Sequence, residues 1–103
     1  MYSGSQHVII WEFRIRPGAE AEFVGQYGPE GAWARLFRKS DGYIRTELVR
    51  DVIVERRFLT LDYWKSEEDF DQFRNQHLAE YERLDRQFEG LTEQETRLGS
   101  LVP

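Results

Sequence analysis

Hydrophobic positions along the chain change period several times, and each change marks an element. Over residues 7–16, Ile9, Trp11, Phe13 and Ile15 fall on one side and Val8, Ile10, Glu12 and Arg14 on the other, the two-residue period of a strand. Pro17-Gly18 ends it, and a helix begins near Ala19. That helix is interrupted at Tyr27-Gly28-Pro29-Glu30-Gly31, because proline lacks an amide donor and disfavours helix in the residue before it. Residues 32–38 resume a helical pattern until Ser40-Asp41-Gly42 turns the chain. A second strand follows over residues 43–50, with Ile44, Thr46 and Leu48 opposed to Tyr43, Arg45, Glu47 and Val49. Residues 51–56 form a hairpin whose Val52-Ile53-Val54 is too apolar for an ordinary turn, so either the strands run longer or something covers the tip.

The third strand, Phe58-Leu59-Thr60-Leu61-Asp62-Tyr63-Trp64, leads directly into the best-marked helix. Ser66 lies three residues before Asp69, the spacing of a side-chain cap, and Glu67, Glu68 and Asp69 put negative charge at the positive end of the helix dipole. Phe70, Phe73, His77, Tyr81, Leu84 and Phe88 then recur at steps of three and four, one face of a helix that Gly90 stops. Residues 95–102 read as a last strand. The order β-α-β-β-α-β predicts an α+β, ferredoxin-like antiparallel sheet with its helices on one face. The third strand is apolar on both sides, with Leu59, Leu61 and Tyr63 opposite Phe58 and Trp64. Burying each such side chain is worth about 1.5–3 kcal/mol, so the helix-free face predicts a homodimer packed sheet to sheet.

Composition narrows the function. The 103 residues make one domain, residues 1–103, and hold no cysteine, which excludes a disulfide framework and thiolate metal sites and points to the cytoplasm. Residues 1–6 are polar and no apolar run spans a bilayer, so neither a signal peptide nor a membrane partner is expected. A net charge of -5 argues against nucleic acid, whose backbone needs a concentrated basic face. With two histidines far apart, no metal site is expected. Aromatics at 15% suit a core or pocket of flat rings.

Two residues carry candidate catalysis. His77 reads as a general acid or base, or else as a neutral core histidine. Asp62 shares a strand face with Thr60 and Trp64 and points under the helices. There it would orient His77 or take a proton from an acidic phenol, or else form a salt bridge or a tyrosine hydrogen bond. Trp64, Trp11, Trp33, Phe73 and Tyr81 make either a slot for a ring-shaped ligand or plain core. The break at Tyr27 is either a pocket mouth or a simple kink. Glu80, Glu82, Arg83 and Arg86 read as a solvated outer face, with Glu82 and Arg86 spaced to pair.

A strand ending in Pro17-Gly18, the Gly42-Tyr43 strand start and Trp64-Lys65-Ser66 leading into Phe70 together resemble the antibiotic biosynthesis monooxygenase domain, over nearly the whole chain. The resemblance implies a dimeric α/β barrel with a pocket between sheet and helices in each subunit. In part of that superfamily it also implies oxidation of aromatic polyketides by molecular oxygen with no cofactor. The strand-end tryptophan that lines the pocket of those enzymes matches Trp64. Their tyrosine, asparagine, histidine and arginine are replaced by Phe70, Thr60, Val49 and Leu84. The haem-degrading relatives bind iron through a helix histidine near His77, but their asparagine and tryptophan correspond to Trp11 and Phe73. Three expectations follow: cofactor-independent oxygenation of a flat hydrophobic aromatic, non-catalytic ligand binding or a stress-associated role, and haem binding or degradation. Asp62 and His77 would carry the chemistry of the first, and Trp64, Tyr81, Phe73, Trp11, Trp33, Tyr27 and Thr60 would line its site.

Overall fold

The computed structural model describes residues 6–103, so the polar N-terminal stretch that argues against a leader lies, apart from Gln6, outside the described residues. The elements run β1 (His7–Ile15), α1 (Glu20–Tyr27), α2 (Ala32–Phe37), β2 (Tyr43–Arg50), β3 (Arg57–Trp64), α3 (Glu67–Gln76), α4 (Leu78–Phe88), a short 3-10 turn (Glu89–Leu91) and β4 (Thr92–Leu101). The strands form one antiparallel sheet in the order β2-β3-β1-β4, the ferredoxin-like arrangement. Among the described residues no helix is long and apolar enough to cross a membrane.

Alternation along the strands decides which side of the sheet the helices cover. In β3, Phe58, Thr60, Asp62 and Trp64 are buried while Leu59, Leu61 and Tyr63 stay partly exposed. Their β1 partners Phe13, Trp11 and Ile9 share the covered side, since directly paired residues point the same way. Tyr43 departs from simple alternation. A bulge between the Tyr43–Trp64 and Arg45–Tyr63 pairs inserts Ile44 as an extra residue, which moves the Tyr43 ring to the helix side, 5.4 Å from Trp64. The helices close this face with rings: Phe23 stacks on Tyr27 at 4.3 Å, and Phe37 meets Phe73 at 5.5 Å.

The expected single helix after Ser66 is two. Ser66 caps α3 as its spacing implies, its hydroxyl accepting from the Asp69 amide at 3.1 Å. At His77 the backbone leaves the helical region (φ -121°, ψ 31°), and α4 restarts at Leu78. The periodic stripe therefore does not present one continuous face.

The break after α1 is tightly packed. A Cβ on Gly31 would collide with the Gln26 carbonyl group, so glycine is required there by close approach of backbone to backbone. Gly42 is constrained in the same way, a Cβ there running into the side chain of Asp69. At the β2–β3 hairpin the strands stop at Arg50 and Arg57, and among the described residues nothing covers the tip: Val52 and Ile53 are 89% and 87% exposed. The Asp51 carboxylate shapes this turn, accepting from the Ile53 and Val54 amides at 2.8 and 3.0 Å. Those bonds, with the Arg57 guanidinium beyond them, hold its pKa down at about 2.

Candidate functional site

Between the covered face of the sheet and the helices lies a cavity of about 300 Å³, at the small end of the range for ligand pockets. Strand register builds its floor. Trp11 pairs with Thr60 and Phe13 with Phe58 across β1 and β3, and Asp62 lies one step further along on the same side. On the other edge of β1, Phe13 pairs with Glu95 and Trp11 with Arg97, which carries two charged side chains to the cavity rim. The roof comes from Tyr27 and Trp33 on either side of the α1–α2 break, with Phe70 from α3 and Tyr81 from α4. Trp33 meets Tyr81 edge-on at 5.0 Å, and Phe13 meets Tyr27 at 5.2 Å.

One carboxyl lies deep in this apolar surround. Asp62 is 9% exposed, and its Oδ1 accepts a 2.6 Å hydrogen bond from the Thr46 hydroxyl on β2. Burial pushes its pKa up to about 7, against the opposing pull of that hydrogen bond. It can therefore hold or release a proton near neutrality. Burial also raises Tyr27 and Tyr81, with the Glu95 charge adding to the effect on Tyr27, so both phenols stay protonated. The Trp33 indole N–H lies near enough to the Tyr27 hydroxyl to oppose that rise, yet closes no hydrogen bond with it. At the rim, burial raises both Asp85 and Glu95, helped by Glu89 for the first and by Asp85 for the second.

Of the residues singled out by sequence, Asp62, Thr60, Trp11, Trp33, Tyr27 and Tyr81 line the cavity together. His77, Trp64 and Phe73 do not. His77 sits at the α3–α4 break, its ring 5.0 Å from that of Phe73 and its Nδ1 3.0 Å from Glu80 Oε1. His77 is absent from the cavity lining, and its Nδ1 is engaged by a carboxylate three residues on. Glu80 is accordingly no free surface charge: its other oxygen takes Lys39 at 2.6 Å, tying the turn after α2 to α4. Trp64 and Phe73 lie one layer behind the wall. Trp64 is wholly buried, with Phe37 and Phe70 between it and the cavity at 5.4 and 5.2 Å.

Sequence reasoning missed Arg74, Asp85, Glu95 and Arg97 at the rim and Thr46 behind Asp62. A helical signal existed for two of them, since Arg74 follows Phe70 and Asp85 follows Tyr81 by four residues, one turn along the same face. The others depend on pairing between distant strands. Among the described residues no three of His, Asp and Glu come together as a metal would require.

No curated protein matches the chain by sequence. Among solved structures, SnoaB, a cofactor-independent oxygenase from Streptomyces nogalater, has the same fold with a TM-score of 0.71 at 18% identity, over 96% of this chain and 93% of that one. PA3566 from Pseudomonas aeruginosa gives a TM-score of 0.66 at 18% identity, over 100% of this chain and 98% of that one. The family model for antibiotic biosynthesis monooxygenases matches residues 6–81, from β1 through α3 into the first turn of α4. The chain belongs to the antibiotic biosynthesis monooxygenase family.

Proposed function

We propose that this protein oxygenates a flat, hydrophobic aromatic molecule with molecular oxygen and without a cofactor, using Asp62 as its proton acceptor. The observation that carries this reading is the buried Asp62 carboxyl, poised near neutral pH at the end of an aromatic cavity. A substrate such as an anthrone holds an acidic methylene across the central ring from a carbonyl, conjugated with it through the flanking aryl rings. Asp62 removes that proton and leaves an electron-rich enolate. The aromatic walls exclude water and keep the anion in reach of dissolved oxygen. Oxygen adds to the carbanion carbon, and Asp62 returns its proton to the peroxide so formed. Loss of water then leaves a new carbonyl: the methylene gives up both hydrogens, one oxygen atom stays in the product and the other leaves as water.

The test is oxygen uptake in the presence of anthrone or dihydroxynaphthalene substrates, with no metal or flavin added. Consumption of one oxygen molecule per carbonyl formed is the expected result. No uptake with any of them, while the same compounds bind, would leave a binding protein in place of an enzyme.

We further propose that two chains pack through their helix-free sheet faces. Leu59 and Leu61 remain partly exposed there, beside ion pairs from Arg57 to Glu12 and Asp51. Light scattering at micromolar concentration should report twice the 12.3 kDa mass of the chain. A monomer mass would end the proposal.

A further inference from the structure

The Asp62 carboxyl ends a chain of two hydroxyls, both supplied by β2. Thr46 pairs directly with Asp62 in the β2–β3 register, which brings the side chains together on the covered face. Tyr43 would point to the opposite face under strict alternation. The bulge at Ile44 returns it to the covered side, where its hydroxyl lies 2.7 Å from Thr46 Oγ1. Proton counting then fixes the direction of the chain. Thr46 has one hydroxyl hydrogen and gives it to Asp62 Oδ1 at 2.6 Å. Its oxygen must therefore accept from Tyr43, and the sense of donation runs Tyr43 to Thr46 to Asp62. Among the described residues Oδ2 of Asp62 has no protein partner.

We propose that Thr46 and Tyr43 are positioning residues. They occupy Oδ1 of Asp62 with a donated hydrogen bond and so reserve Oδ2 for exchanging a proton with the substrate. Oδ1 cannot readily carry the exchanged proton, because a hydrogen already points at it. The carboxyl is also locked against rotation about its last torsion, which keeps Oδ2 presented in one orientation. The bulge at Ile44 serves this arrangement, since without it Tyr43 could not reach Thr46. The titratable groups that face Asp62 from the packed elements are Tyr43 of β2 and Tyr81 of α4, both protonated; Arg74, Asp85, Glu95 and Arg97 stand further out at the rim. None of these offers Oδ1 a substitute donor at neutral pH in the observed geometry.

The proposal rests on Asp62 being the proton acceptor, and its test separates the two ideas. The Asp62 side-chain carboxyl is followed by ¹³C NMR across pH in the folded protein, with no substrate present. Thr46→Val keeps the shape but removes the donor, and should raise the titration midpoint by about one to two pH units, the change that losing a hydrogen bond to a charged group would give. Thr46→Ser restores the donor and should return the midpoint to its original value. Tyr43→Phe leaves Thr46 in contact with Asp62 but unsupported, so it should raise the midpoint by less than Thr46→Val does. An unmoved midpoint in Thr46→Val, or an equal rise in Thr46→Ser, overturns the proposal. With anthrone, the pH midpoint of kcat/KM should move with the NMR midpoint in each variant. If no variant turns over anthrone, the NMR series still decides the positioning roles, and only the oxygenase reading falls.

Discussion

Asp62→Asn should leave the protein more stable than wild type at pH 8 and nearly unable to oxygenate. The stability half follows from burial. An aspartate is ordinarily at 3.8, and the folded chain moves this one to about 7. The folded state thus binds the proton more tightly than the unfolded chain does. Its stabilising effect is complete below pH 4 and is lost as pH rises through 7. Each tenfold difference in proton affinity between the folded and unfolded chains corresponds to about 1.36 kcal/mol, so ionised Asp62 destabilises the fold by about 4 kcal/mol at alkaline pH. Asparagine has nearly the same shape, still accepts from Thr46 and cannot ionise. Its amide must find a partner in the cavity, which reduces the gain to about 2–4 kcal/mol.

The informative quantity is the difference between variant and wild type. It should run from zero to about 2 kcal/mol against the variant at pH 4, where only the amide's cost remains, and swing in the variant's favour through pH 5–8, as read from urea unfolding. Other carboxyls raised by burial, such as Asp85 and Glu95, are common to both proteins and cancel. A difference that stays constant with pH would mean that Asp62 does not titrate near neutrality, and the proposed chemistry would fail with it. Removing a general base typically costs ~10²–10⁴ in rate, and the wild-type rate should climb as pH passes 7. A group that destabilises the fold and drives the reaction is the pattern expected of an active site.

Trp64→Ala should cost about 3–5 kcal/mol of stability, the range for emptying a large buried aromatic site. Trp64 is 0% exposed and lies within 5.2–5.4 Å of the rings of Phe37, Tyr43, Phe70 and Phe73, ring centre to ring centre. These residues come from α2, β2 and α3, so the indole joins three elements to the end of β3. Trp64→Phe should cost less than half as much. It keeps a ring among rings and also removes the indole N–H, which has no hydrogen-bond partner among the described residues. Thermal or urea unfolding measures both. A loss below about 1 kcal/mol for the alanine variant, coupled to weakened ligand binding, would put the indole in the cavity wall and contradict its place one layer behind.

The fold was legible because it depends on local patterns. Alternation in residues 7–16 and 58–64 marks strands whichever partner they take, and Ser66 announces a helix start through a bond three residues long. The candidate site was legible in part, for a related reason. Trp11, Thr60 and Asp62 sit on strand faces that periodicity identifies, and Tyr27 and Trp33 flank a break that Pro29 makes visible.

Depth and register lay beyond that reading. Periodicity states which face a side chain occupies but not how many layers cover it, so Trp64 and Trp11 look alike in sequence although one is sealed in the core and the other meets the cavity. It also assumes an unbroken helix, and the departure at His77 is a backbone event with no proline or glycine to signal it. The Tyr43–Thr46–Asp62 chain needs a bulge and a pairing between two strands, each a long-range fact. The chain's own pattern therefore settled the order of elements, the covered face of the sheet and the presence of a carboxylate beneath the helices. Packing in three dimensions chose which titratable group meets the cavity, because burial and hydrogen-bond partners come from residues distant along the chain.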